Sequence, residues 1–180
     1  MKPKLLLGLA LVLSGGLFGC SSSQLLHNGA VKKTSTEKNG VTVEVSLPEA
    51  VSTGQPVEMV VNVTNAGSQT VYYAHVDGIR ELRIHLVDSR NAMPELTPEG
   101  RKSIGVPESY YEYLVEPLKP GEHYEWRVNL ATLFNFRPGT YQVSVNLELN
   151  DAVPGVTPFE ISTEPLGFTE ETIQASQSNP

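Results

Sequence analysis

The segment Leu118–Leu149 reads LKPGEHYEWRVNLATLFNFRPGTYQVSVNLEL and holds two strand patterns, each opened by a Pro-Gly turn. In the first, Tyr124, Trp126, Val128 and Leu130 alternate with Glu125, Arg127 and Asn129. In the second, Tyr141, Val143, Val145, Leu147 and Leu149 alternate with Gln142, Ser144, Asn146 and Glu148. Alternation of period two turns one row of side chains to a core and the other to water, the pattern of a half-buried antiparallel sheet. The connection between them carries Leu130, Leu133, Phe134 and Phe136, and is expected to tuck under the sheet.

The same rhythm extends to both sides. Val41, Val43, Val45 and Leu47 alternate with Thr42, Glu44 and Ser46 until Pro48 stops the run. Val57 to Val63, Val71 to Tyr73, Ile79 to Val87 and Val156 to Thr163 supply four more extended stretches, separated by turn residues such as Thr53-Gly54-Gln55-Pro56 and Asn65-Ala66-Gly67-Ser68. No convincing amphipathic helix interrupts them. Leu…Pro138-Gly139-Thr140-Tyr141-Gln142-Val143 resembles the tyrosine corner of immunoglobulin-like domains, in which the Tyr hydroxyl bonds back to the incoming backbone. The expected fold is all-β: one immunoglobulin-like antiparallel β-sandwich of about seven strands over residues 40–164.

The N-terminus has a different character. Lys2 and Lys4 precede an apolar run, Leu5 to Leu13, too short for a stable membrane span. Leu17-Phe18-Gly19-Cys20 follows and contains the one cysteine of the chain. It resembles the lipobox of bacterial lipoproteins. The resemblance implies that residues 1–19 are a signal peptide and that Cys20 is lipidated. Ser21 rather than Asp follows the cysteine, which in enterobacterial-type sorting implies the outer membrane. Residues 20–39, small and polar, read as a flexible tether, and residues 165–180 as a polar tail.

These assignments limit the chemistry. With Cys20 carrying lipid, no thiol remains for a disulfide, a nucleophile or a metal. Loss of Lys2 and Lys4 leaves 11 Lys and Arg against 20 acids, a net charge of −9, so nucleic acid is not an expected partner. The four histidines, His27, His75, His85 and His123, lack the His-Glu-x-x-His spacing of a zinc peptidase. Ser103 has no Gly-x-Ser-x-Gly setting, and Glu170-Glu171 fall in the tail. Asp77, Asp88 and Asp151 near strand ends form no calcium loop. No catalytic site, metal or cofactor is expected.

Asn91 to Pro117 breaks the strand rhythm with four prolines and unpatterned apolar residues. Long loops of this kind are commonly functional. This one carries Tyr110, Tyr111 and Tyr113, anchor residues for a partner, with one helical turn expected after Pro107.

The Asn62–Gly67 turn, Leu82–Asp88, the Tyr-bearing insertion, Leu118–Glu122 and Pro138–Val143 together resemble accessory immunoglobulin-like modules of bacterial secreted and lipid-anchored proteins, some of which precede deuterolysin-like zinc peptidases. The two turn motifs are also loosely similar to the bacterial intracellular proteinase inhibitor family. The resulting expectation is a non-catalytic binding or structural module, anchored to the membrane through lipid on Cys20 and contacting an envelope protein. The alternative is a proteinase inhibitor presenting the 91–117 loop.

Overall fold

The computed structural model describes residues 30–75, 82–104, 114–150 and 153–172. In chain order the elements are β1 (Val31–Lys38), β2 (Val41–Pro48), β3 (Ala50–Ser52), β4 (Glu58–Asn65), β5 (Val71–His75), β6 (Leu82–Asp88) and β7 (Glu95–Leu96). They continue with α1 (Pro98–Ile104), β8 (Leu114–Leu118), β9 (His123–Asn129), α2 (Leu130–Leu133), β10 (Phe134–Asn135), β11 (Gly139–Leu149), β12 (Phe159–Ser162) and β13 (Leu166–Glu171). The fold is all-β with two short helices.

Among the described residues, each stretch with apolar alternation contains a strand, and the alternation sets which face is buried. In β2, Val41, Val43, Val45 and Leu47 are each at most 1% exposed, while the residues between them are half-buried. In β11, Tyr141, Val143, Val145, Leu147 and Leu149 form the matching inward row. Burying a Val or Leu side chain is worth roughly 1.5–3 kcal/mol, so these two rows account for much of the driving force.

Two sheets enclose this one core. The first has order β1-β2-β4-β9, all antiparallel. The second is centred on β11. On one side β11 pairs with β13 and β12; on the other it pairs with β6 and, at Leu149, with β5. Further pairings, β13 with β3 in parallel and β5 with β8 antiparallel, complete the sheet. The chain crosses between sheets at Glu49, whose N–H donates to Ala30 O and whose carbonyl accepts from Thr169 N.

Tyr141 makes the expected return. Its hydroxyl accepts from Arg137 N at 2.9 Å and donates to Arg137 O at 2.7 Å. The connection before it is α2 followed by β10, and Leu130, Leu133 and Phe134 are buried as its composition implied. Phe136 and Phe168 pack edge-on to each other, and the Tyr141 ring stacks on Phe168.

Four sequence expectations need correction. There are thirteen strands among the described residues, not about seven, and the second sheet is mixed. Val31–Lys38, read as part of a flexible tether, is an edge strand. Its side chains bury little, and the ladder to β2 over all eight residues holds it. Asn39 and Gly40 close that hairpin with φ of 53° and 77°, as a type I′ two-residue turn requires. Leu166–Glu171, read as the start of a tail, pairs with β11 and turns Leu166, Phe168 and Glu170 inward. Finally, the 91–117 segment is not one loop: among the described residues it contains β7, α1 and the start of β8, while the helical turn expected after Pro107 lies outside the described residues.

Candidate functional site: an aromatic edge between the sheets

Tyr110, Tyr111, Tyr113 and Cys20 lie outside the described residues. The residues just after the tyrosines are described, and they lead to a defined place. Leu114 opens β8, which runs antiparallel to β5, with Leu114 opposite His75 and Glu116 opposite Tyr73. Among the described residues, β8 is the outermost strand on this side of the second sheet.

Three rings gather there from both sheets. Tyr73 of β5 faces Tyr124 and Trp126 of β9, at centroid distances of 5.1 and 5.7 Å. Tyr124 and Trp126 lie edge to face at 4.4 Å. Trp126 and Tyr73 are buried, and Tyr124 is half-buried. The Tyr73 hydroxyl donates to Glu116 Oε2 at 2.8 Å, so a carboxylate stands beside the rings. Period-two alternation brings Tyr124 and Trp126 to the same face of β9, and the β5–β8 ladder sets Glu116 against Tyr73. The alternation in the first strand pattern already sets Tyr124 and Trp126 on one inward row, whereas Val71 to Tyr73 reads only as a short extended stretch. The missing signal was the cross-sheet approach of β5 to β9, which no local pattern encodes.

The site sits at one end of the molecule. Val41 pairs with Asn65, and Thr64 with His123, at the end that holds the Asn39-Gly40 turn. Asn65 organises this end. Fully buried, it donates from Nδ2 to Gln69 O and Leu118 O, both at 2.8 Å, and accepts from Gly67 N at 3.0 Å. Its backbone also pairs with Gly121 and Glu122. One side chain thus fixes the two turns beside Tyr124. At the opposite end, Val31 pairs with Pro48 and Glu58 with Asn129.

The remaining candidates do not converge. His85 lies on β6 in the second sheet and His123 on β9 in the first, both exposed and on strands that are not paired. Among the described residues no three of His, Cys, Asp and Glu are grouped to hold a metal. Asp88 is committed to its own turn, accepting from Arg90 N, Ala92 N and the Arg90 guanidinium. Those bonds, with Ala92 N the largest influence, hold its carboxyl below the usual range. It borders an open recess of about 350 Å³, with Val87, Ser89, Asn91, Thr140 and Gln142. Ser103 lies within α1 rather than in a loop. Glu170 and Glu171 occupy opposite faces of β13, one buried and one exposed, so they cannot act on one substrate. Among the described residues, no helix is long and apolar enough to cross a membrane.

No protein-family model matches the chain, and no curated protein matches it. Among solved structures, the 2.2 Å crystal structure of a conserved hypothetical protein from Bacillus anthracis is similar at 18% identity, over 64% of this chain and 91% of that chain, with a TM-score of 0.28.

Proposed function

We propose that this chain is a lipid-anchored envelope protein whose folded part is a non-catalytic, immunoglobulin-like binding module. The anchor reading rests on the Lys2–Cys20 pattern, and the expected destination is the outer membrane. The immunoglobulin-like reading is supported by strand order. β2, β4 and β9 stand as strands A, B and E of one sheet; β3, β13, β11 and β6 stand as A′, G, F and C of the other, with β1 added at an edge.

The observation that carries the binding role is the cross-sheet cluster Tyr73, Tyr124 and Trp126 beside Glu116 of β8. Of these rings Tyr124 is the one left partly exposed, held rigid by the buried Tyr73 and Trp126, and a fixed tyrosine with a polar tip is a strong anchor in protein interfaces. The strand nearest the anchor, β1, begins at the end opposite Tyr124. With Cys20 in the bilayer, that polarity directs the aromatic edge away from the membrane, towards another envelope protein.

The test is affinity capture from detergent-solubilised envelopes, comparing the parent with Tyr124→Ser and with the triple Tyr110, Tyr111 and Tyr113→Ser variant. One envelope protein held by the parent and lost from both variants, each variant still unfolding in a single cooperative urea transition, is the expected result. Equal capture by all three removes the aromatic edge from the binding role. Capture of a protease whose activity falls on binding would instead favour the inhibitor reading.

A further inference from the structure

β9 ends the first sheet, whose order is β1-β2-β4-β9 among the described residues. Its backbone phase follows from two hydrogen bonds. Leu130 N donates to Val57 O at 2.9 Å and Asn65 N donates to Glu122 O at 3.0 Å. In an antiparallel ladder such pairs recur every second residue, so Tyr124, Trp126 and Val128 turn their N–H and C=O groups towards β4. His123, Glu125 and Arg127 turn theirs the opposite way, along the outer edge, while the Asn129 carbonyl accepts from Thr132 Oγ1 at 2.8 Å. A strand edge of this kind is a template for another strand.

Charge selects both the partner and the register. Glu125 and Arg127 are exposed on the outward face and lie 2.7 Å apart as an ion pair. When two copies of β9 meet antiparallel about a two-fold axis at Trp126, Glu125 of each copy falls opposite Arg127 of the other, and His123 opposite Asn129. Sliding by two residues one way sets Glu125 against Glu125; sliding the other way sets Arg127 against Arg127. Both are repulsive, because like charges directly opposite destabilise a strand pair. Slips by one residue turn the core row outward. We infer that a second copy of this chain docks on β9, joining the two first sheets into one continuous sheet in the single register that pairs Glu125 with Arg127.

This inference rests on the reading of this edge as a contact surface, and it names one partner for it. The contact is isologous, so it closes as a dimer rather than propagating. An edge-to-edge contact is smaller than a standard protein interface, so the dimer is weak in dilute solution and is favoured when both copies share a membrane.

Cysteine pairing reads the register directly. Full-length chains carrying Glu125→Cys and chains carrying Arg127→Cys are purified in detergent, then oxidised separately and as a mixture, with the parent as control. Opposed residues of a hydrogen-bonded antiparallel pair lie about 5.5 Å apart at Cα, within disulfide reach. The mixture should cross-link severalfold more than either variant alone. In reversible cross-linking of chains without added cysteine, Glu125→Arg should lose the dimer and the Glu125→Arg/Arg127→Glu double variant should recover it. Equal cross-linking in all three oxidised samples, no cross-linking in any, or no recovery in the double variant overturns the inference. Envelope capture that depends on Tyr124 alongside absent β9 cross-linking would remove this inference and leave the proposed function standing.

Discussion

Tyr141, Asn65 and Glu170 show how single side chains hold this fold. The Tyr141 hydroxyl satisfies both backbone groups of Arg137 where the chain turns into β11. Tyr141→Phe leaves the ring on Phe168 and removes only those bonds, so it should cost about 1–2 kcal/mol, read from urea unfolding. Asn65→Ala should cost more, on the order of 2–4 kcal/mol, because it leaves two carbonyls and an N–H without their partner in a closed site. Glu170 sits on the inward row of β13 at 5% exposure, with Oε2 lacking a hydrogen-bond partner. Burial raises its pKa, while the Thr53 hydroxyl and Gly54 N–H pull the other way. A carboxyl that holds its proton more tightly when folded favours the fold at low pH. Its contribution is lost as pH rises from the ordinary value of 4.5 through the raised one. The unfolding midpoint of Glu170→Gln should therefore gain on that of the parent as pH rises above 4.5. A constant difference between the two would contradict this account of Glu170.

Elements were legible where apolar alternation was strong, and missed where other forces hold them. β2, β4, β9 and β11 carry inward rows of Val, Leu and aromatics, and each forms where that pattern lies. β1 has no inward row, since a ladder to β2 and a left-handed Asn39-Gly40 turn make it. The Asn-Gly pair was the available signal, and the polar residues before it outweighed it. β13 was hidden by Glu170 in a core position. α1 is short and is located by tertiary packing: an added Cβ on Gly100 would lie 2.0 Å from Leu133 O. Gly100→Ala should therefore push α1 off α2 and lower stability by about 1–3 kcal/mol, measurable by thermal unfolding. Deleting residues 21–38 distinguishes strand from tether. Loss of an eight-residue ladder should lower the urea midpoint, whereas removal of a tether would leave it unchanged.

At the scale of the whole molecule, β1, the strand nearest the proposed anchor, begins at the end opposite Tyr124. The all-β class, the inward rows and the Tyr141 corner were readable from sequence; the meeting of Tyr73 with Tyr124 and Trp126 arises from two sheets folding over one core. β1 starts eleven residues after Cys20, and a fully extended chain of that length spans at most about 40 Å, so the proposed anchor would hold the folded part close to the membrane. Cys20→Ser should move the protein from the membrane fraction to the soluble fraction of disrupted cells without changing its unfolding midpoint. The most direct measurement is site-specific photo-cross-linking in living cells, with a photoreactive residue replacing Tyr124 in one strain and Ser35, on the outward edge strand β1, in another. The proposed function predicts one envelope protein joined from position 124 and not from position 35. The same products from both positions, or none from 124, would contradict it.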